Sequence, residues 1–176
     1  MAVIPTDSSL RKQSHSLLME EIGERTVKYY PTQFIDISCK SYGTSLKGRL
    51  EGTASVANIT HKPPIIIDSP FGMTFFPTAS PYHPACIWLS HVHIERIVEN
   101  TSKGTDVYFV NGKILSLDVS FHSMENQLSR AAQFRFALEN RLTISKKKSK
   151  RKQFINPFAK QYEKINLDEQ ILQIES

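Results

Sequence analysis

The sequence predicts an α+β fold in a single domain: a mostly antiparallel β body, then a long helix, then a basic C-terminal extension. Three observations carry this. Short runs before position 120, such as "TVKYY", "QFIDIS" and "CIWLSHVHIERIV", alternate apolar and polar residues on β-formers, with proline- and glycine-rich stretches between them. The pattern switches to a helical stripe at Ser123–Leu142. A charge run, "KKKSKRK" from Lys146 to Lys152, follows directly. The boundaries expected are an N-terminal segment at 1–26, the α+β domain at 27–145 and a basic linker and tail at 146–176.

Taken in order, Ser8 to Gly23 fits a short amphipathic helix. "TVKYY" and "QFIDIS" alternate and read as strands. "YGTSLKGRLEGTA", from Tyr42, holds three glycines and suits a hairpin or exposed loop. Pro63 and Pro64 bar a helix, and Ile65 to Ile67 start a buried strand. "MTFFPTASPYHP" is extended and broken by proline. "CIWLSHVHIERIV" is the longest β-like run. Strict alternation puts Ile87, Leu89, His91 and His93 on one of its faces.

Asn111-Gly112 lies between two β-rich runs and fits a type I′ hairpin turn. Val110 then faces Lys113, and Tyr108 faces Leu115. In the helix that follows, Ser123 is placed for the N-cap and Glu125 for the first turn. Met124, Leu128, Ala131, Leu138 and Leu142 form its apolar stripe.

The chain has 176 residues, 40% of them hydrophobic, enough for a substantial core. No apolar run is long enough to span a bilayer, so no membrane association is expected. The N-terminus acquires acids early and has no long apolar stretch, which argues against a secretory signal. Two cysteines then read as reduced thiols of a cytoplasmic protein. Net charge is +5, from 22 basic and 17 acidic residues. Without the six cations of the Lys146–Lys152 run, 16 basic residues face 17 acidic ones. One short segment therefore makes the protein basic, and such a segment binds a polyanion or stays solvated.

Metal chemistry is the first question the residues raise. His83, Cys86, His91 and His93 fall within eleven positions, and Cys39 is available as a further thiol. Zinc needs three or four ligands converging at about 2.0–2.3 Å. A zinc-dependent hydrolase built on Cys86, His91 and His93 is thus one alternative. Against it, there is no C-x-x-C pair, and "HVHIER" breaks the H-x-H-x-D-H pattern. No G-x-G-x-x-G, P-loop or G-x-S-x-G motif occurs. Asp68, Glu95 and Asp118 stand apart among apolar neighbours. No catalytic residue, metal or cofactor is assigned.

Double-stranded DNA is the partner the cations fit. Lys146, Lys147, Lys148, Lys150, Arg151 and Lys152 supply phosphate contacts, giving affinity without sequence preference. Arg130, Arg135 and Arg141 on the preceding helix add contacts, or pair with Glu125 and Glu139 instead. Lys40, Lys47 and Arg49 cluster near the glycine-rich stretch. On a thin ribbon they suit a narrow A·T minor groove. A regulatory module whose basic run meets an acidic protein partner is the other alternative.

Several motifs together resemble the ComK family of competence transcription factors. They are "DISCKSYGTSLKGRLEGT", "ITHKPPIIID", "FFPTASPYHPACIWLSHVHI", "NGKILSLDVSFHSMENQLSRA" and "RFALENRL", in order from Phe34 to Leu142. The resemblance does not take in the first 26 residues. It implies a sequence-specific, DNA-binding activator of DNA-uptake genes that reads paired A/T-rich boxes through the minor groove as a homo-oligomer. It also implies a proteolytic adaptor and an AAA+ protease as partners, and a cytoplasmic, nucleoid-associated location. It makes His91 and His93 sheet residues rather than ligands.

Overall fold

Two antiparallel sheets and three helices make up the computed structural model, which describes residues 1–6, 15–68 and 72–153, with side chains as far as 144. The first sheet has six strands in the order β3-β2-β1-β6-β5-β4. These are β1 (Ala2–Thr6), β2 (His15–Met19), β3 (Glu24–Val27), β4 (Ile65–Ile66), β5 (Thr74–Pro77) and β6 (Trp88–Ser90). The second sheet has three, β7 (Ile94–Glu99), β8 (Thr105–Phe109) and β9 (Ile114–Leu117), in sequence order. The helices are α1 (Pro31–Ser41), α2 (Leu46–Ala57) and α3 (Phe121–Gln153). This is the α+β class expected.

Alternation along the strands of the large sheet sorts its side chains onto two faces. Val3, Leu18, Phe75 and Trp88 point to one side and pack with Ile35 and Cys39 of α1 and Leu46 of α2. Ala2, Met19, Phe76 and Leu89, each adjacent in sequence, point to the other. There they meet Val107, Phe109 and Leu117 of the small sheet, with Met124 and Ala131 of α3. The large sheet is therefore covered on both faces. This explains why Trp88 and Leu89, neighbours in one strand, are both fully buried.

Several elements differ from the sequence reading. β1 and β2 lie in the first 26 residues, and β1 sits between β2 and β6. Where a helix over Ser8–Gly23 was expected, His15–Met19 is β2; residues 8–14 lie outside the described residues. "QFIDIS" is helical, not a strand: α1 buries Pro31, Ile35 and Cys39 at intervals of four. Proline at its first position is suited to a helix start, since that N–H has no intrahelical partner. The glycine-rich stretch is not a hairpin. Gly43, at φ +72, makes the turn, Ser45 Oγ accepts from Gly48 N–H at 3.1 Å, and α2 follows.

The run "CIWLSHVHIERIV" does not stay in one sheet. A 3₁₀ turn at His91–His93 takes the chain from β6 in the large sheet to β7 in the small one. The two histidines are thus joint residues, not partners on a strand face. The β8–β9 hairpin forms at Asn111-Gly112 as expected, but its register is shifted by one. Tyr108 faces Ile114 and Val107 faces Leu115. The cause is the turn type. Only Gly112 has positive φ (+82), and its N–H bonds to the Phe109 carbonyl. That is a type I turn closed by a left-handed glycine rather than a type I′ turn, so one residue more is spent in the loop.

α3 begins earlier and ends later than expected. Ser120, not Ser123, caps it: its hydroxyl accepts from Ser123 N–H and its carbonyl from Met124 N–H. The helix backbone continues through the basic run to Gln153, where a linker was expected. The chain divides into Met1–Ala137, which holds both sheets, and Leu138–Ser176, whose described part is the second half of α3.

Candidate nucleic-acid interface

The charge run lies on the second half of α3. Residues Lys146, Lys147, Lys148, Lys150, Arg151 and Lys152, with Ser149 among them, all fall on the helical backbone of α3. Arg141 precedes them on the same helix, within the Leu138–Ser176 unit.

In the body, the other candidate cations take different roles. Lys40 and Lys47 lie on α1 and α2 rather than on a ribbon. Lys40 Nζ sits 2.7 Å from Asp36 Oδ2, an i,i+4 pair within α1. That ammonium holds the Asp36 carboxyl below its ordinary range, helped by the Leu46 N–H that bonds to its other oxygen at 2.9 Å. Lys47 is 82% exposed and only loosely paired, 3.9 Å from Glu51.

Arg49 is turned inward. Its Nη2 donates to the Ile67 carbonyl at 2.8 Å and ties α2 to the end of β4. Beside it, the buried Thr53 hydroxyl donates to the Pro64 carbonyl at 2.6 Å. Arg49 is therefore a structural tie between α2 and the β4 segment, and not part of an exposed basic cluster with Lys47.

Arg130 belongs to a second tie. Its Nη1 reaches the His61 carbonyl at 3.2 Å and Gln127 Oε1 at 3.4 Å. Gln127 in turn donates to the carbonyls of Lys62 (3.1 Å) and Pro77 (2.9 Å). Nothing in the 3.6-residue pattern distinguished Gln127 from its neighbours, because its role depends on a loop 65 positions away. Arg135 is half-buried, close enough to His91 to disfavour a charge there.

The four candidate metal residues do not assemble. Among the described residues, no three His, Cys, Asp or Glu side chains converge on a site for a metal ion. Cys86 is buried with Trp88 on the α1–α2 side of the large sheet. Burial pushes its thiol, and that of Cys39, up to about 11. His93 Nδ1 hydrogen-bonds Ser90 Oγ at 2.7 Å, and the Nδ1 of His91 is buried without a hydrogen-bond partner among the described residues. Burial lowers the pKa of both rings.

A cleft of about 590 Å³ opens where α1 and α2 begin. Tyr30, Pro31, Thr32, Gln33 and Asp36 line it from α1, Leu46 and Lys47 from α2, and Tyr82, His83 and Pro84 from the loop before β6. No helix of the described residues is long and apolar enough to cross a membrane.

Comparison with known proteins decides which family carries this geometry. A family model described as ComK protein matches residues 1–143. The chain belongs to the ComK family. The ComK match starts at the first residue, so it includes the β1–β2 segment that the motifs had not reached. A curated relative named Competence transcription factor, from Bacillus subtilis (strain 168), is 36% identical over 154 residues. The alignment covers 85% of this chain and 79% of that one. No solved structure matches this ComK-family chain.

Proposed function

We propose that this protein is a sequence-specific, DNA-binding activator of competence genes that recognises paired A/T-rich boxes. The family and its relative named Competence transcription factor support a competence transcription regulator. The observation that carries the DNA reading is the basic run on an otherwise balanced chain, held on a helix.

The chemistry follows from the charge. Six cations engaging six phosphates release counterions, and the affinity falls with salt at a log–log slope near about −5. That interaction is blind to sequence. Preference for A·T over G·C then comes from the minor groove, where the exocyclic amine of guanine is the distinguishing feature. The protein acts as a homo-oligomer on double-stranded DNA, in the cytoplasm at the nucleoid. A proteolytic adaptor and an AAA+ protease limit its abundance. These partners are carried over from the family resemblance.

The test is fluorescence anisotropy on matched A/T-rich and G/C-rich duplexes at several fixed salt concentrations. The expected result is tighter binding to paired A/T tracts at every concentration, with competition by a minor-groove ligand such as distamycin. Equal affinity for both duplexes throughout removes the A/T reading. Binding to an acidic protein but to neither duplex removes the DNA reading altogether.

A further inference from the structure

Tyr82 is a large aromatic residue that the fold holds out in solvent. It is 72% exposed. Its loop is nonetheless firmly built. Pro81 and Pro84 restrict the backbone on both sides. His83 N–H bonds to the Ser80 carbonyl and Cys86 N–H to the His83 carbonyl, each at 2.9 Å. The His83 ring accepts from Ala85 N–H at 3.1 Å. The Thr32 hydroxyl donates to the Pro81 carbonyl. Exposing an aromatic ring on a rigid support fits a contact surface, where ring area is presented with little entropy left to lose.

Tyr30, 49% exposed, lines the same cleft at the start of α1. The charge of the cleft is set by few groups. The Asp36 carboxylate is paired with the Lys40 ammonium and accepts from the Leu46 N–H. Lys47 remains at the rim, beside His83. Neither α1 nor α2 has an acidic residue in its first turn, so α1 also presents its positive end here. An apolar, tyrosine-walled cleft with a cationic rim complements a strand of alternating sugar and phosphate.

We propose that this cleft takes the sugar–phosphate backbone of one strand of duplex DNA, with Lys47 on a phosphate and the rings of Tyr82 and Tyr30 against the flanking sugars. This rests on the DNA reading above, and adds to the basic run a second contact located in the body. It is a positioning contact: it sets where the duplex lies and carries no base information of its own.

The chain contains its own reporter. Trp88 is its single tryptophan, and its Nε1–H donates to Thr32 Oγ1 at 3.1 Å. Thr32 lines the cleft and bonds the Pro81 carbonyl beside Tyr82. Filling the cleft perturbs that link and with it the emission of a buried indole.

The experiment titrates the full chain with an A/T-rich duplex, following Trp88 emission and the anisotropy of labelled DNA together. The expected result is a saturable emission change with the same midpoint as the anisotropy. Tyr82→Ala should weaken binding about ten-fold with an unchanged salt slope, while Tyr82→Phe keeps wild-type affinity. Lys47→Gln should flatten the log–log salt slope by about one unit, the signature of one lost phosphate contact. If the wild type binds the duplex, Trp88 emission stays flat and Tyr82→Ala and Lys47→Gln bind like wild type, the cleft proposal is wrong and the DNA reading stands. If no duplex binds the wild type, both fall. If poly-glutamate moves the emission and DNA does not, the cleft is a protein-docking site and the proposal is overturned.

Discussion

The side-chain amide of Gln127 on α3 donates to the main-chain carbonyl of Lys62, 65 residues earlier, at 3.1 Å. Lys62 has φ +46, a left-handed conformation that a residue with a Cβ adopts at a cost. The Lys62 ammonium bonds to the Thr78 carbonyl at 3.3 Å, so the loop between α2 and β4 is held from both α3 and the end of β5. The "HKPP" turn is therefore a product of tertiary ties and not of its own sequence alone.

Gln127→Met should keep the volume and remove both donors, leaving the carbonyls of Lys62 and Pro77 unpaired by α3. A stability loss of about 2–3 kcal/mol is expected in urea unfolding. Arg130→Ala, whose partner carbonyl is nearer solvent, should cost about 1 kcal/mol or less. A Gln127→Met protein as stable as wild type would show that the Gln127 tie does not hold the loop.

Lys47 and Arg49, two positions apart, should separate cleanly. Arg49→Ala frees the Ile67 carbonyl and empties a half-buried site, and should cost about 1–2 kcal/mol. Lys47→Ala should stay within about 0.5 kcal/mol of wild type, since its ammonium is exposed and loosely paired. Urea midpoints of the two variants decide this. Any DNA-binding defect of Arg49→Ala should then track its unfolded fraction.

Stability should fall as the solution turns acidic. His91 and His93 have folded-state pKa values below the ordinary 6.5, chiefly because burial disfavours the imidazolium. The unfolded chain then binds more protons than the folded one once pH drops below about 6.5. The neutral rings' contribution is complete above that value and is lost progressively down to the folded pKa values. Thermal midpoints measured from pH 7.5 to 5.5 should decline, and less steeply in His91→Gln. A decline of the same slope in that variant takes His91 out of the explanation.

Both thiols should be inert in the native protein. With pKa values near 11, only about one thiol in a thousand is ionised at pH 8, against a larger fraction in the unfolded chain. Ellman's reagent should label Cys39 and Cys86 rapidly in denaturant and far more slowly without it. Rapid native labelling at either position contradicts its burial.

Replacing the six cations of the Lys146–Lys152 run by Ser should weaken all duplexes alike. The salt slope should flatten by up to about five units while the A/T preference persists. Because the run is helical, six serines also lower helix propensity there, so a six-glutamine version is the better-matched comparison. Lost discrimination with an unchanged slope makes the run a reader of sequence.

Much of the fold was legible in local chemistry. Pro63-Pro64 before three isoleucines announced β4. Asn111-Gly112 announced a hairpin, and the 3.6-residue stripe announced α3. The basic run was legible as charge. In each case the residues carry their own reason, a fixed φ, a permitted positive φ or an apolar period.

What local chemistry left open, tertiary contacts decided. Ile35 and Cys39 fit a strand period through Ile37 or a helix period through Pro31. The large sheet chose the helix by burying 31, 35 and 39 and leaving Ile37 exposed. α2 forms despite Gly48 and Gly52, each costing about 1 kcal/mol relative to alanine, because Leu46, Thr53 and Arg49 are held by the body. Whether a cation is free for a polyanion or spent on a carbonyl is likewise invisible in sequence. Lys47 and Arg49 carry the same charge, and only the position of the Ile67 carbonyl separates them. Charge belongs to the residue, but its availability depends on which distant backbone groups folding brings within 3 Å.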